Sequence, residues 1–399
     1  MKASADFDLV VYGATGLCGR LVAEYLAGRY GVDGSLAWAL AGRNRERLRA
    51  IRDELRLPAD LPILVADAAD GAALDALVRQ TRAVVTTVGP YQLYGGPLLA
   101  ACARAGTDYL DLCGEPAWMR QMIDLHEREA RASGARILFS CGFDSIPFEL
   151  GVWFLQESAR QHFGAPVRRV KGRVRAVKGP ISPGTVASLK ATMAAAVRDP
   201  ELFALLRTPF SMTPGFTGPE QPSENAVAFD HELGAWVAPF IMSGINTRNI
   251  HRSNFLMGHP YGTDFIYDEM MLGRHGDSRA ELKRMMTREP TTIRADDEAG
   301  SGVRPTSDAP QSGYYDLLFA GFSDDGRQIR VSVRGDRDPG YGSTSRIVAE
   351  TTMVLLREGA HIPGGIWTPA AVLGRALLER LTVRAGVTFS VERVREVAS

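Results

Sequence analysis

The sequence predicts an α/β protein: a doubly wound parallel sheet, an α+β second domain, and C-terminal helices that return to the side of the first sheet. Three observations carry this. Short apolar runs alternate with helix-like stretches from residue 7 to 140. Glycines at 13, 16 and 19 follow the first of those runs. After Cys141 the rhythm changes. The expected division is 1–145, 146–342 and 343–399.

Taken in order, the apolar runs at 7–12, 36–41, 63–66, 83–87, 109–112 and 137–140 read as strands. The amphipathic stretches between them, at 17–29, 45–55, 72–79, 97–105 and 117–131, read as helices. Strand and helix in strict turn imply right-handed crossovers and a parallel sheet, with ligand at the carboxyl ends of the strands. Asn44 fits an N-cap for the second helix, and Pro97 the first turn of the fourth.

Beyond Cys141, 147–156 reads as a helix, 167–177 as a strand and 185–206 as one helix. Residues 208–225 are rich in Pro, Gly, Ser and Thr and lack apolar periodicity, which predicts a surface loop or lid. Residues 288–312 read as another polar loop. A hairpin is expected at 314–321 and 328–335, joined by Ser323-Asp324-Asp325-Gly326. Helices follow at 343–357 and 369–381, and a final strand at 387–391.

Lys plus Arg and Asp plus Glu both total 46, so bulk charge gives no reason to expect a nucleic-acid partner. No run of apolar residues is long enough for a membrane span, and the N-terminus has no signal-peptide pattern. The four cysteines, Cys18, Cys102, Cys113 and Cys141, form no C-x-x-C pair, and the seven histidines have no metal-ligand spacing. A cytoplasmic protein without a metal is expected.

The turn Gly13-Ala14-Thr15-Gly16-Leu17-Cys18-Gly19 lies between a strand and a helix, where main-chain N–H groups and the helix dipole favour an anion. Within a Rossmann-type sheet that anion is a dinucleotide pyrophosphate. The second strand ends Ala41-Gly42-Arg43-Asn44-Arg45, with cations where an NAD-selective site places a carboxylate. Arg43, with Asn44 beside it, suits the 2′-phosphate of NADP. Asp67, after the third strand, is placed either to reach the adenine or to cap the next helix. Gly89 and Pro90 follow the fourth strand, where the chain passes the nicotinamide.

The chemistry is narrowed by absences. Short-chain dehydrogenases share the glycine spacing but need Y-x-x-x-K, and no tyrosine here has a lysine four residues on. The hydrolase pattern G-x-S-x-G is missing as well. Asp111 and Glu115 resemble an acid/base pair but suit a capping or interdomain role. Arg248, His251, Arg252 and Asn254 form a polar cluster that suits a thioester or pantetheine contact, a solvated loop or a subunit contact. The apolar residues of 226–271 suit an acyl pocket, a core or a homodimer interface.

Several segments together resemble the saccharopine dehydrogenase-like family, and within it the trans-acting enoyl reductase branch of lipid synthesis. They are Gly13-Ala14-Thr15-Gly16, Ala41-Gly42-Arg43, Val88-Gly89-Pro90-Tyr91, the run from Ala105 to Glu115, Cys141-Gly142-Phe143-Asp144-Ser145-Ile146-Pro147, Gly340-Tyr341-Gly342-Ser343 and Gly364-Gly365-Ile366-Trp367. The resemblance implies NADPH-dependent reduction of a conjugated C=C in an acyl or polyketide-type substrate held by a carrier or synthase. Tyr91, Tyr94, Asp144 and Tyr341 are then candidates to stabilise the enolate or supply a proton, with Tyr91 first. Imine reduction of the saccharopine type and a non-enzymatic NADP-binding regulator are the alternatives.

Overall fold

A computed structural model describes residues 5–31, 36–180, 182–274, 276–287 and 312–396. The loop expected at 288–312 lies outside the described residues, apart from Ser312. In the first layer the chain runs β1 (Phe7–Tyr12), α1 (Leu17–Tyr30), β2 (Trp38–Gly42), α2 (Arg45–Glu54), β3 (Ile63–Val65), α3 (Gly71–Arg79), β4 (Thr81–Thr86), α4 (Tyr91–Ala105), β5 (Asp108–Leu110), α5 (Pro116–Ser133) and β6 (Arg136–Leu138).

The second part comprises α6 (Ile146–Phe163), β7 (Arg169–Lys178), α7 (Pro183–Arg198), α8 (Pro200–Arg207), β8 (Ala228–Asp230), β9 (Ala235–Pro239), α9 (Ser243–Leu256), β10 (Ile266–Leu272), α10 (Arg279–Thr287), β11 (Tyr314–Phe322) and β12 (Gln328–Gly335). A π-helical turn, Pro339–Ser343, leads into α11 (Thr344–Glu358), β13 (Gly365–Trp367), α12 (Pro369–Arg384) and β14 (Val387–Arg395).

The first sheet is parallel throughout, in the order β13-β6-β5-β4-β1-β2-β3. Its strand order reverses between β1 and β4, and the glycine turn stands at that switch point. Strand alternation divides its residues between two apolar layers. Leu9 and Val11 pack with Val22 and Leu26 of α1, whereas Val10 and Tyr12 share the opposite layer with Leu74 and Leu98.

The second sheet runs β14-β12-β11-β7-β10-β9-β8 and is antiparallel except where β7 pairs with β10. From 343 onward the chain serves both sheets. Helix α11 packs on α1, β13 extends the first sheet beside β6, and β14 pairs with β12 in the second. The contact of α11 with α1 is polar at its centre: buried Glu350 accepts from Tyr25 Oη at 2.5 Å, from Tyr30 Oη at 2.7 Å and from Arg380 Nε at 2.5 Å.

Several expectations are corrected. Helix α4 begins at Tyr91, six residues before Pro97, because a carboxylate from elsewhere caps its first N–H groups. Strands β5 and β6 end early because the Asp111 carboxylate draws in the N–H groups of Cys113 (3.0 Å) and Ser140 (2.9 Å). The helix expected at 185–206 is two helices. Asp199 precedes Pro200 and is held extended, and its carboxylate caps α8 at Glu201 N (2.9 Å).

The segment 208–225 is partly a buried strap. Phe210 to Thr213 are buried, and Arg120 and Arg252 donate to the carbonyls of Ser211 (2.8 Å) and Met212 (2.7 Å). The hairpin of β11 and β12 forms as expected, around Gly326 at φ +89°.

Candidate active site

The glycine turn is built by crowding. Gly13 has φ +90°, and a Cβ there would lie 2.7 Å from Val88 Cγ2 and 2.8 Å from Thr87 Oγ1. At Gly19 a Cβ would run into the Gly13 carbonyl oxygen. Gly16 is the N-cap of α1, and no side chain caps that helix or places a carboxylate in its first turn. Thr15 and Gly16 are exposed, and Leu17 and Cys18 are partly so. A bare helix N-terminus above a cradle that side chains would fill fits a pyrophosphate.

Arg43 is exposed at the carboxyl end of β2 and forms no ion pair with a described residue. Asn44 caps α2, its Oδ1 accepting from Arg47 N at 2.8 Å. Asp67 does not cap α3: that is done by Asp70, which accepts from Ala73 N at 3.0 Å. The Asp67 carboxylate closes its own turn on Ala69 N at 2.9 Å and remains exposed near Tyr12, whose hydroxyl is pushed up to about 12 by burial and then by Asp67.

On the other side of the switch point, the Gly89–Pro90 peptide is cis. Tyr91 follows it, but its ring is buried against Trp118, with ring centroids 5.7 Å apart. Its hydroxyl donates to the Thr86 carbonyl at 3.2 Å and accepts from Leu112 N at 3.0 Å. Burial, followed by the charge of Asp111, holds that hydroxyl well above its usual range. The single O–H of Tyr91 therefore serves the protein interior. Tyr94 is exposed, one turn further along α4.

Glu115 supplies the cap of α4. Its Oε1 accepts from Tyr91 N at 2.8 Å and from Ser188 Oγ at 2.6 Å, and its Oε2 from Gln92 N at 2.8 Å. Asp111 is buried, with its carboxyl pushed up to about 7 by desolvation. These two acids hold the backbone around the turn and do not face each other as a catalytic pair.

Asp144 is different. It lies just beyond the carboxyl end of β6, partly exposed, and no described residue hydrogen-bonds its carboxyl. Desolvation alone pushes it up to about 6. The Cys18 thiol in the first turn of α1 is itself pushed up to about 12, first by burial, then by Asp338 and Asp144. The π-helical turn that Asp338 caps packs on α1, and the charge of Asp144 is felt at the same thiol.

Asp338 in turn accepts from Tyr341 N at 2.9 Å and from Gly342 N at 2.7 Å, fixing the π-helical turn that carries Tyr341. Next to Asp144, Ser145 Oγ donates to Asn246 Oδ1 at 3.2 Å and accepts from Asn249 Nδ2 at 3.0 Å. Asn246 continues to buried Glu269 at 2.7 Å, so the segment 141–147 is tied to α9 and β10.

Asp338, Asn246 and Asn249 are not singled out by the sequence. Asp338 had a signal in its place just before the Gly340-Tyr341-Gly342 run, while the asparagines stand in a helix with no motif. The polar cluster on α9 is neither solvated nor turned to a pocket. Arg252 donates to the carbonyls of Met212 and Ile366 (2.6 Å), Arg248 to Ser211 Oγ (3.1 Å), and Asn254 to Gly262 O (2.9 Å). Among the described residues, no group of His, Cys, Asp and Glu could hold a metal ion, and no helix is long and apolar enough to cross a membrane.

Residues 9–138 match the family model of the saccharopine dehydrogenase NADP-binding domain. A Mycobacterium tuberculosis protein named as a candidate trans-acting enoyl reductase is 39% identical over 98% of each chain. Proteins named trans-acting enoyl reductase from Mycobacterium ulcerans and Mycobacterium leprae are each 34% identical over 98% of this chain and 99% and 98% of their own. Among solved structures, saccharopine dehydrogenase (L-Glu forming) of Saccharomyces cerevisiae shares the fold, with TM-score 0.53 and 9% identity, covering 96% of this chain and 100% of that one.

Proposed function

The chain belongs to the saccharopine dehydrogenase-like family, in its trans-acting enoyl reductase branch, and on that premise we propose how its site reduces the conjugated C=C of an acyl or polyketide-type thioester. The protein is an NADP(H)-dependent oxidoreductase. The observation that carries the rest is the meeting of two features at one switch point: a bare helix N-terminus over a glycine cradle, and an acid without a hydrogen-bond partner beside it.

Gly13, Thr15, Gly16, Leu17, Cys18 and Gly19 hold the pyrophosphate, Arg43 the 2′-phosphate, and Asn44 and Asp67 flank the adenosine. Gly89 and Pro90 border the nicotinamide. Bound NADPH supplies the hydride. Asp144 then holds the proton for the α-carbon: its carboxyl keeps a proton to about pH 6 and has no competing partner. Tyr341, buried on the turn that Asp338 fixes through the main chain, is the candidate to steady the enolate oxygen. Tyr91 shapes the turn and does not donate.

The substrate reaches this site on a carrier of a polyketide synthase, which is what acting in trans requires. That none of the four cysteines is in a disulfide among the described residues suits a cytoplasmic setting, and the exposed apolar residues of the second part allow a homodimer. Imine reduction on a dicarboxylate is disfavoured, since Arg248 and Arg252 serve neighbouring carbonyls and a hydroxyl instead of lining a bowl. The test is NADPH oxidation at 340 nm with a panel of enoyl thioesters, free and carrier-bound. Consumption with at least one supports the reading; tight NADP binding with no acceptor turned over favours a regulator.

A further inference from the structure

Helix α7 is unusual: none of its sixteen residues is buried. Polar tethers hold it in place where most helices have a packed face. Ser188 Oγ donates to Glu115 Oε1 at 2.6 Å, and Gln92 Nε2 donates to Thr192 Oγ1 at 3.2 Å. Both anchor points follow directly on the Gly89–Pro90 turn or cap the helix that starts there. Ser188 and Thr192 are one turn apart, so they define the face of α7 turned to the first sheet.

About 100° round the same helix stand Leu189, Met193 and Val197, again one turn apart, at 41%, 62% and 88% exposure. Phe203 on α8 is 52% exposed. The charged residues of α7 itself are Lys190 and Arg198, both cationic and exposed, and the exposed acids Asp199 and Glu201 follow Arg198. An apolar stripe with Lys190 beside its N-terminal end, tethered at the nicotinamide edge of the site, is matched by an anionic amphiphile.

We infer that the stripe Leu189, Met193, Val197 is the element that reads the acyl chain of the thioester substrate, with Lys190 meeting the phosphate of its pantetheine arm. This rests on the enoyl reductase reading and names where its specificity resides. Size separates this occupant from a protein. The stripe and Phe203 together expose on the order of 400 Å², about half of what each partner buries in a standard interface. Its length, about 12 Å at 1.5 Å per residue, is that of a medium acyl chain and not of a docking face.

The test uses the full chain and the variant L189S/M193S/V197S, whose changes lie at exposed positions that the fold does not pack. With NADP⁺ bound, dodecanoyl-CoA and butanoyl-CoA are titrated by calorimetry, and trans-2-dodecenoyl-CoA and crotonyl-CoA are compared in turnover. The stripe predicts that the wild type prefers the longer chain and that the variant loses about tenfold of that preference in Kd and in kcat/KM. K190A should weaken both CoA esters relative to their pantetheine counterparts lacking the phosphate.

If the enoyl reductase reading fails, turnover is absent while the binding preference still reports on the stripe. Equal chain-length preference in wild type and variant overturns the stripe, as does a wild type that binds neither ester. A dimer in sedimentation that becomes monomeric in the variant assigns the face to a second copy. Loss of binding to anionic phospholipid vesicles without change in acyl-CoA binding assigns it to a membrane.

Discussion

The Tyr91 hydroxyl oxygen lies 3.0 Å from the main-chain nitrogen of Leu112, across from the turn that Tyr91 begins. This bond joins the start of α4, after β4, to the loop after β5. Tyr91→Phe should therefore leave Leu112 N–H unpaired in the interior and cost about 1–3 kcal/mol of stability. Hydride transfer should persist. Urea unfolding alongside NADPH oxidation would check both; a fully stable but inactive variant would return Tyr91 to the chemistry.

With Asp144 as the proton donor proposed above, a pH dependence follows. Its folded carboxyl titrates near pH 6, above the ordinary 3.8, because of desolvation. A step needing the protonated acid should fall off as pH rises through about 6, and Asp144→Asn should flatten that limb of kcat. The same raised pKa means the folded state binds the proton more tightly than the unfolded chain. Stability from this group is complete below about pH 4 and is lost as pH rises through about 6. Asn at 144 should then stabilise the protein at pH 7.5 by on the order of 2 kcal/mol, read as a raised urea midpoint. A destabilised D144N would contradict this.

Arg43→Ala should weaken NADPH about tenfold or more and NADH by much less, since only NADPH carries the phosphate that a guanidinium grips. Fluorescence titration of both cofactors decides it. Equal losses would move the 2′-phosphate elsewhere.

Gly19→Ala places a methyl against the Gly13 carbonyl, so helix and strand must separate. The expected result is a loss of cofactor affinity of at least tenfold together with about 1–3 kcal/mol of stability from overpacking. Binding and thermal unfolding measured on one preparation would test it. A variant with native affinity would show that the cradle yields.

The first sheet was legible because its signals are local. Alternating apolar and amphipathic runs, the glycine spacing and Asn44 before α2 each act within a few residues, and all of them appear in place. What escaped depends on partners far along the chain. Glu115 caps α4 across 24 residues and moves its start from Pro97 to Tyr91. Asp199 before Pro200 broke a helix that apolar periodicity alone would continue. The arginines of α9 left a ligand contact, a solvated loop and a subunit contact equally open, because sequence shows the donors and not the carbonyls that receive them. Tyr91 was drawn to the chemistry by its position, while burial decided where its hydroxyl points. Strand β13 is three residues long and carries no alternation to reveal it.

That short strand has a consequence for biosynthesis. Gly365–Trp367 forms one edge of the first sheet, and Val387–Arg395 one edge of the second. During translation both sheets lack a final edge strand until a single late stretch of chain supplies the two of them. Neither sheet is complete on the ribosome before that stretch emerges, so a premature stop after residue 358 should yield a nascent chain that relies on chaperones or aggregates through the strands left at the edge.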